Sequence, residues 1–196
     1  ICVCIEGAGK GIGFCNMTDT QIADFVSQVK VFVETYDLDG VNLWDRGTGY
    51  GKEGLPAMNT TSYPKLIKAM REAMPDKMLT VVDHEEPTEY FHDTEATDGI
   101  AVGDYIDYAW SGYNSNVADP QLLDPWHPDE SYVSDYTQKP IAGLDPSQFG
   151  CLNLAWVLAE DGMAYGDALM NFMPWIMNSY RPNNIMVFED LRTNLK

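Results

Sequence analysis

Asp37-Leu-Asp-Gly-Val-Asn-Leu-Trp-Asp-Arg-Gly47 decides how the rest of this chain is read. An aspartate-glycine pair leads into a short apolar run with a polar exit, the pattern of a buried strand. Side chains on a strand alternate faces with period two. Asn42, Trp44 and Arg46 therefore share one face, and Leu43 and Asp45 share the other. A slip of one residue would exchange the faces, so register is strongly specified wherever one face is buried. In a parallel barrel the Asn42 face looks inward and ends at the mouth where chemistry is done.

Outward from this strand, strands and helices alternate, which predicts an α/β fold with helical crossovers. Ile1 to Ile5 reads as a strand and Gly7 to Gly13 as a glycine-rich loop. Thr18, with Gln21 three residues on, forms a capping box that opens a helix. Ile22, Phe25, Val26, Val29 and Val33 recur along it at helical spacing. Leu38 to Trp44 is the next strand. Ser62 to Met74 is an amphipathic helix carrying Leu66, Ile67 and Met70 and closed by Pro75. Further strands are predicted over Met78 to Val82, Tyr105 to Trp110, Leu152 to Val157 and Ile185 to Phe188. A helix kinked at Pro174 spans Asp167 to Tyr180. The stretch from Ser111 to Phe149 is long, polar and proline-bearing, and loops of that length are often functional. About six βα units result, whereas a closed barrel has eight at roughly 250 residues.

The chain has 196 residues, enough for one domain with its own core. A net charge of −18 excludes nucleic acid and anionic membrane surfaces as partners, because those need basic patches. No apolar run approaches the roughly 20 residues of a membrane helix. Ile1 to Ile5 reads as the middle of a strand with no initiator Met, so residues upstream are expected. Cys2, Cys4, Cys15 and Cys151 are expected as buried free thiols, with a Cys15–Cys151 bridge as the alternative. No cysteine or histidine spacing suggests zinc, and no metal or cofactor is expected. His84, His92 and His127 are scattered, and hydrogen-bonded or surface roles are the default. The Gly7 to Gly13 loop lacks both the P-loop ending and the dinucleotide spacing, so no phosphate cradle is read there. Asn16-Met-Thr and Asn59-Thr-Thr match the N-glycosylation pattern.

The Asp37–Gly47 segment resembles the signature strand of glycoside hydrolase family 18, whose usual form is Asp-Gly-x-Asp-x-Asp-x-Glu. Asp39 and Gly40 match it. Asn42 stands at the second aspartate, Trp44 at the third, and Arg46 at the catalytic glutamate. The glycine loop after Ile5, the Ala73-Met-Pro-Asp-Lys77 run and Asp107-Tyr-Ala-Trp110 followed by Tyr113 are similar to the endo-β-N-acetylglucosaminidase branch. The resemblance implies a (β/α)8 TIM barrel, here one domain over residues 1–196 without its first two βα units. In active members the substrate's acetamide attacks the anomeric carbon, an aspartate orients it, and the glutamate protonates the leaving oxygen. Those positions are Trp44 and Arg46 here. A general acid must carry a proton to give, and arginine stays protonated at any working pH. No catalytic residue is therefore assigned. Tyr113 takes the place of the family's acetamide-contacting tyrosine.

Trp44 has two readings, a stacking platform for a sugar ring or a core plug in the vacated site. Arg46 also has two, a hydrogen bond to a glycan or an ion pair with Glu6, Asp83 or Glu85. Asp39 is read as structural at the start of the strand. The full candidate binding set is Trp44, Arg46, Tyr113, Asp39, Asp83, Glu85 and Trp110. Tyr50, Trp126 and Trp156 are additional aromatics for a groove. Three functions follow. The first is a non-catalytic, secreted or cell-surface protein binding an N-acetylglucosamine-containing oligosaccharide or glycoprotein glycan. The second is an active glycosidase with displaced carboxylates among Asp83, Glu85, Glu189 and Asp190. The third is a scaffold or inhibitor that binds another protein, since folds of this kind host unrelated functions. The sequence leaves the oligomeric state open.

Overall fold

The structure, a computed structural model, describes residues 1–84, 86–111, 139–150, 152–153 and 185–186. The chain divides into two units, Ile1–Ala109 with Lys139–Asp145, and Trp110–Gln138 with Pro146–Lys196. The first unit holds β1 (Cys2–Glu6), α1 (Asp19–Thr35), β2 (Gly40–Trp44), α2 (Ser62–Ala73) and β3 (Met78–Asp83). β1, β2 and β3 are parallel and adjacent in that order, and β4 (Tyr108–Ser111) takes the next place. In the second unit, β5 (Phe149–Gly150) is followed by β6 (Leu152–Asn153), which pairs in parallel with β7 (Ile185–Met186). The expected extensions of these last strands, and the helix over Asp167 to Tyr180, fall outside the described residues.

Both crossover helices form for the reasons written in their sequences. Thr18 caps α1 and Gln21 returns the bond to the Thr18 backbone, so the capping box is complete. Ile22, Val26, Val29 and Val33 make the buried stripe of α1. On α2, Leu66, Ile67 and Met70 are fully buried, each contributing about 1.5–3 kcal/mol of apolar transfer. The N-terminus of α2 is capped by Asn59, whose Oδ1 accepts from the backbone N–H groups of Thr61 (3.1 Å) and Ser62 (2.8 Å). α1 and α2 contact each other, so both crossovers lie on one side of the sheet.

Two expected strand boundaries shift. Leu38 does not begin β2. Its N–H bonds to Val33 O (3.0 Å), and Asp37 takes a left-handed φ of 49° with its N–H on Glu34 O (3.4 Å). That is the αL termination of a helix, with aspartate where glycine is commoner, and it uses Leu38 to close α1. The strand expected over Tyr105 to Trp110 is instead a short 3-10 turn, Val102–Tyr105, followed by β4 from Tyr108. Pairing with β3 starts at Asp107, whose N–H bonds to Leu79 O (2.8 Å). The Asp107 carboxylate accepts from Leu79 N–H (2.8 Å) and from Arg71 of α2 (2.6 Å). Arg71 also donates to Tyr105 O (2.9 Å) and Lys77 O (2.9 Å), tying α2 to the starts of β3 and β4.

The close spacing of β2 and β3 depends on Gly40. A Cβ there would stand 2.0 Å from Met78 O and 2.7 Å from Met78 C, which are backbone atoms that cannot step aside. Gly40→Ala should therefore destabilise the protein by about 3 kcal/mol, by forced strand separation. Urea denaturation would show this as a lowered midpoint, and an unchanged midpoint would remove the constraint.

Candidate functional site

The period-two reading of β2 holds in three dimensions. In the in-register pairing, Cys4, Asn42 and Thr80 stand side by side. Thr80 Oγ1 donates to Asn42 Oδ1 (2.6 Å), and Asn42 Nδ2 donates to Cys4 Sγ (3.2 Å). One row further along, Glu6 is opposite Trp44. Arg46 then folds back over this row. Its guanidinium carbon lies 3.9 Å from the Trp44 ring centroid, and its Nη2 meets Glu6 Oε1 at 2.8 Å. Of the three carboxylates weighed for Arg46, Glu6 is the partner the structure records. Both members of this pair are partly solvated, so the contact positions Arg46 more than it stabilises the fold. Trp44 is 1% exposed. Its ring is packed and covered by Arg46.

The opposite face of the same strand carries a second polar cluster. Asp45 is 6% exposed. Its Oδ1 accepts from the Thr48 hydroxyl (2.6 Å), and its Oδ2 accepts from the Tyr50 hydroxyl (2.5 Å) and the Cys15 thiol (3.3 Å). Tyr50 Oη in turn accepts from Cys15 N–H (2.9 Å). Burial pushes the Cys15 thiol well above its ordinary value, and the neighbouring Asp45 charge adds to this. Tyr50 is raised chiefly by burial and then by Cys15 and Asp45. On the other face burial pushes Cys4 up to about 11. Cys2, Cys4 and Cys15 are free thiols, with Cys15 buried and the other two half-buried, while Cys151 lies outside the described residues.

The glycine-rich loop has a structural task. Gly7 N–H bonds to Arg46 O (3.0 Å) and Gly11 N–H to Thr48 O (2.8 Å), so the loops after β1 and β2 are stitched together. A Cβ on Gly7 would fall 2.5 Å from Thr48 N, so the approach needs glycine. Asn16, one of the two glycosylation matches, is buried. Its side chain is spent on Gly11 O (2.9 Å), Pro56 O (2.8 Å) and Gly13 N–H (2.9 Å), so the folded protein offers no acceptor there.

The other predicted site residues are spread out. Asp39 belongs to the opposite end of β2 from Arg46, about 20 Å away at ~3.3 Å per residue. Its backbone extends the ladder, with N–H to Ile1 O (2.9 Å) and O from Met78 N–H (2.9 Å), so it is structural and takes no part in a site at Arg46. Asp83 is buried at the end of β3, where Thr88 Oγ1 donates to it (2.6 Å) and itself accepts from His84 N–H (2.8 Å). His92 is half-buried, between Glu89 O (2.8 Å) and Lys139 Nζ (3.2 Å). Trp110 lies on β4. Tyr113, Glu85, Trp126, His127, Trp156, Glu189 and Asp190 fall outside the described residues. Among the described residues no cluster of histidine, cysteine and acidic side chains could hold a metal ion, and no helix is long and apolar enough to cross a membrane.

The sequence reading missed the Asp45 cluster. Its signal was present: an aspartate followed three residues later by threonine and five later by tyrosine, with Gly47 and Gly49, at φ 67° and 70°, on either side of the threonine to turn the chain back. Asp45→Ala would leave two hydroxyls without their acceptor and should cost about 2–4 kcal/mol, measured by thermal denaturation. The raised thiols set a pH dependence. A group kept neutral by folding contributes stability below its unfolded value, here 9.0 for Cys4, and loses it as pH rises toward about 11. Stability should be level to about pH 8 and fall between pH 9 and 11. Cys4→Ala should make that fall shallower in denaturation curves taken across the range.

No protein-family model matches the chain. An endo-beta-N-acetylglucosaminidase from Flavobacterium sp. (strain SK1022) is 33% identical over 119 residues, covering 60% of this chain and 37% of that protein. Endo-beta-N-acetylglucosaminidase F1 from Elizabethkingia meningoseptica is 26% identical over 107 residues, 53% of this chain and 31% of that protein. The chain spans about a third of the length of these curated relatives. Among solved structures, Bacteroides thetaiotamicron EndoBT-3987 in complex with Man9GlcNAc2Asn substrate gives a TM-score of 0.49 at 25% identity over 58% of this chain and 28% of that one. The chitinase domain of the spore coat protein CotE from Clostridium difficile gives 0.41 at 16% identity over 96% of this chain and 49% of that one. The two sequence matches make this chain a relative of the endo-beta-N-acetylglucosaminidases, in keeping with the family 18 resemblance of its signature strand.

Proposed function

We propose that this protein binds N-acetylglucosamine-containing glycans, of the N-glycan or chitobiose-core type, without cleaving them. The observation that supports this reading is the arrangement Glu6–Arg46–Trp44, in which Trp44 and Arg46 stand where the resemblance would put the family's catalytic pair. A guanidinium stands where the relatives of this family place a proton donor, and a packed indole stands where they place the acetamide-orienting carboxylate. The carboxylate that directly follows β2, Asp45, is on the other face and already accepts three hydrogen bonds. The barrel reading, with strand three as β1, belongs to the same proposal. Helical crossovers on one side of a parallel sheet support it over a doubly wound sheet, which carries helices on both faces. β1 pairs only with β2 among the described residues. Phe32 and Tyr36 lie exposed on the α1 flank opposite Asp19, whose side chain faces Lys65 of α2 (3.9 Å). An edge strand beside an apolar flank is the surface a preceding βα unit would cover. Secreted or cell-surface placement goes with a glycan ligand.

A second reading, a scaffold that binds a protein partner, is favoured by one observation: Trp44 is packed and presents no open ring face to a sugar. Titration calorimetry with a high-mannose N-glycan that keeps its chitobiose core separates the two. Saturable heat with intact glycan recovered is expected, and Arg46→Ala should weaken it about tenfold, or ~1.4 kcal/mol. Trp44→Asp combined with Arg46→Glu should gain measurable glycan release. Absence of any heat would move the assignment to the scaffold, and release at enzyme-like rates by the unaltered protein would overturn the loss of the acid.

A further inference from the structure

A cleft of about 220 Å³ opens beside the N-terminus of α2, between the loops that follow β1, β2 and β3. It lies on the Asp45 side of β2, because Cys15, the thiol that bonds to Asp45, is in its wall. The Glu6–Arg46–Trp44 arrangement is on the other face and does not line it. Exposure falls steeply from rim to floor. Tyr90 at the rim is 42% exposed, with Glu86 and Glu89 exposed beside it, whereas Tyr63 at the floor is 1% exposed.

Tyr63 supplies the observation that points to a ligand. Its hydroxyl is buried and has no hydrogen-bond partner among the described residues. Its ring is held between Phe14 (centroids 5.1 Å) and Phe91 (5.2 Å), so the hydroxyl cannot swing out to solvent. A buried hydroxyl without a partner is a cost that a polar guest would relieve.

The lining chooses the guest. Among the described residues no basic side chain lines the cleft, and Glu86 and Glu89 oppose an anion. Asn59 spends its carbonyl oxygen on the start of α2, which leaves its amide hydrogens as donors toward the cleft. Donors and acceptors together suit hydroxyl groups, which both give and take hydrogen bonds, better than an ammonium, which only gives. Tyr90 adds an aromatic face for the apolar side of a ring. The cleft's volume of about 220 Å³ is enough to seat one sugar ring.

We propose that this cleft is a second binding site, for one neutral hydroxylated ring of monosaccharide size, with Tyr63 as its buried hydrogen-bonding partner and Tyr90 as its stacking face. The proposal stands apart from the glycan reading of the Trp44 face. The test is protein-observed NMR titration of the full chain with N-acetylglucosamine, mannose and galactose, with putrescine as a cationic control. Saturable millimolar shifts with at least one sugar are expected. Tyr90→Ala should weaken them about tenfold and Tyr63→Phe about fivefold. Tyr63→Phe should leave the melting temperature level or higher, since it removes a hydroxyl that has no partner, and so loss of binding would not be loss of fold. Arg46→Ala should leave these shifts intact whether or not it alters N-glycan binding at the other face. No saturable shift with any sugar would overturn the cleft site. So would sugar shifts removed by Arg46→Ala but kept in Tyr90→Ala, or binding of putrescine alone.

Discussion

Cys4, Asn42 and Thr80 stand abreast on three parallel strands, joined by hydrogen bonds of 3.2 Å and 2.6 Å through the central asparagine. This ladder fixes the register of β2 against both neighbours. A slip of one residue would bury Asp45 among the interior row and carry Asn42 to the helices, breaking both sets of hydrogen bonds at once. Gly40 makes the arrangement possible, because the β3 backbone passes where any side chain on residue 40 would begin. Arg71 locks the same edge from the helix side through Asp107, Tyr105 and Lys77.

Once the register is set, the strand divides its chemistry between two faces. Toward one face it presents Asn42 and Trp44 and then Arg46, drawn onto Glu6. Toward the other it presents Asp45, enclosed by Thr48, Tyr50 and Cys15. A carboxylate and a guanidinium are adjacent in sequence and yet serve separate neighbourhoods. The Gly7–Gly13 loop couples them mechanically, since its backbone is bonded to Arg46 O and Thr48 O. A change in the Asp45 cluster would thus reach Arg46 through the loop that carries both. The relatives of this chain are glycosidases by name.

Much of this was legible in residue order because it is local. Thr18 and Gln21 form a capping box within four residues, and the Leu66, Ile67 and Met70 spacing makes one helix face whatever surrounds it. The Asn42–Trp44–Arg46 alternation follows from strand geometry alone. The misses share a physical cause. Leu38 looks like strand by composition, but its N–H is taken by the end of α1. Asn16 reads as a surface sequon, but it is folded inward to satisfy three loop groups. In each case a polar backbone group needed a partner that the sequence does not identify.

The sequence by itself determined the alternation of strands and helices, the faces of β2 and the absence of a proton donor at position 46. These depend on side-chain chemistry and on periods of 2.0 and 3.6 residues, which act over a few neighbours. Only the tertiary structure decided that Glu6 is the partner of Arg46, that Trp44 is packed, and that Cys15, Thr48 and Tyr50 converge on Asp45. Those outcomes join residues from separate strands and loops. Which carboxylate reaches a guanidinium, and which hydroxyls close on an aspartate, is set by the spacing of neighbouring strands and the paths of their loops.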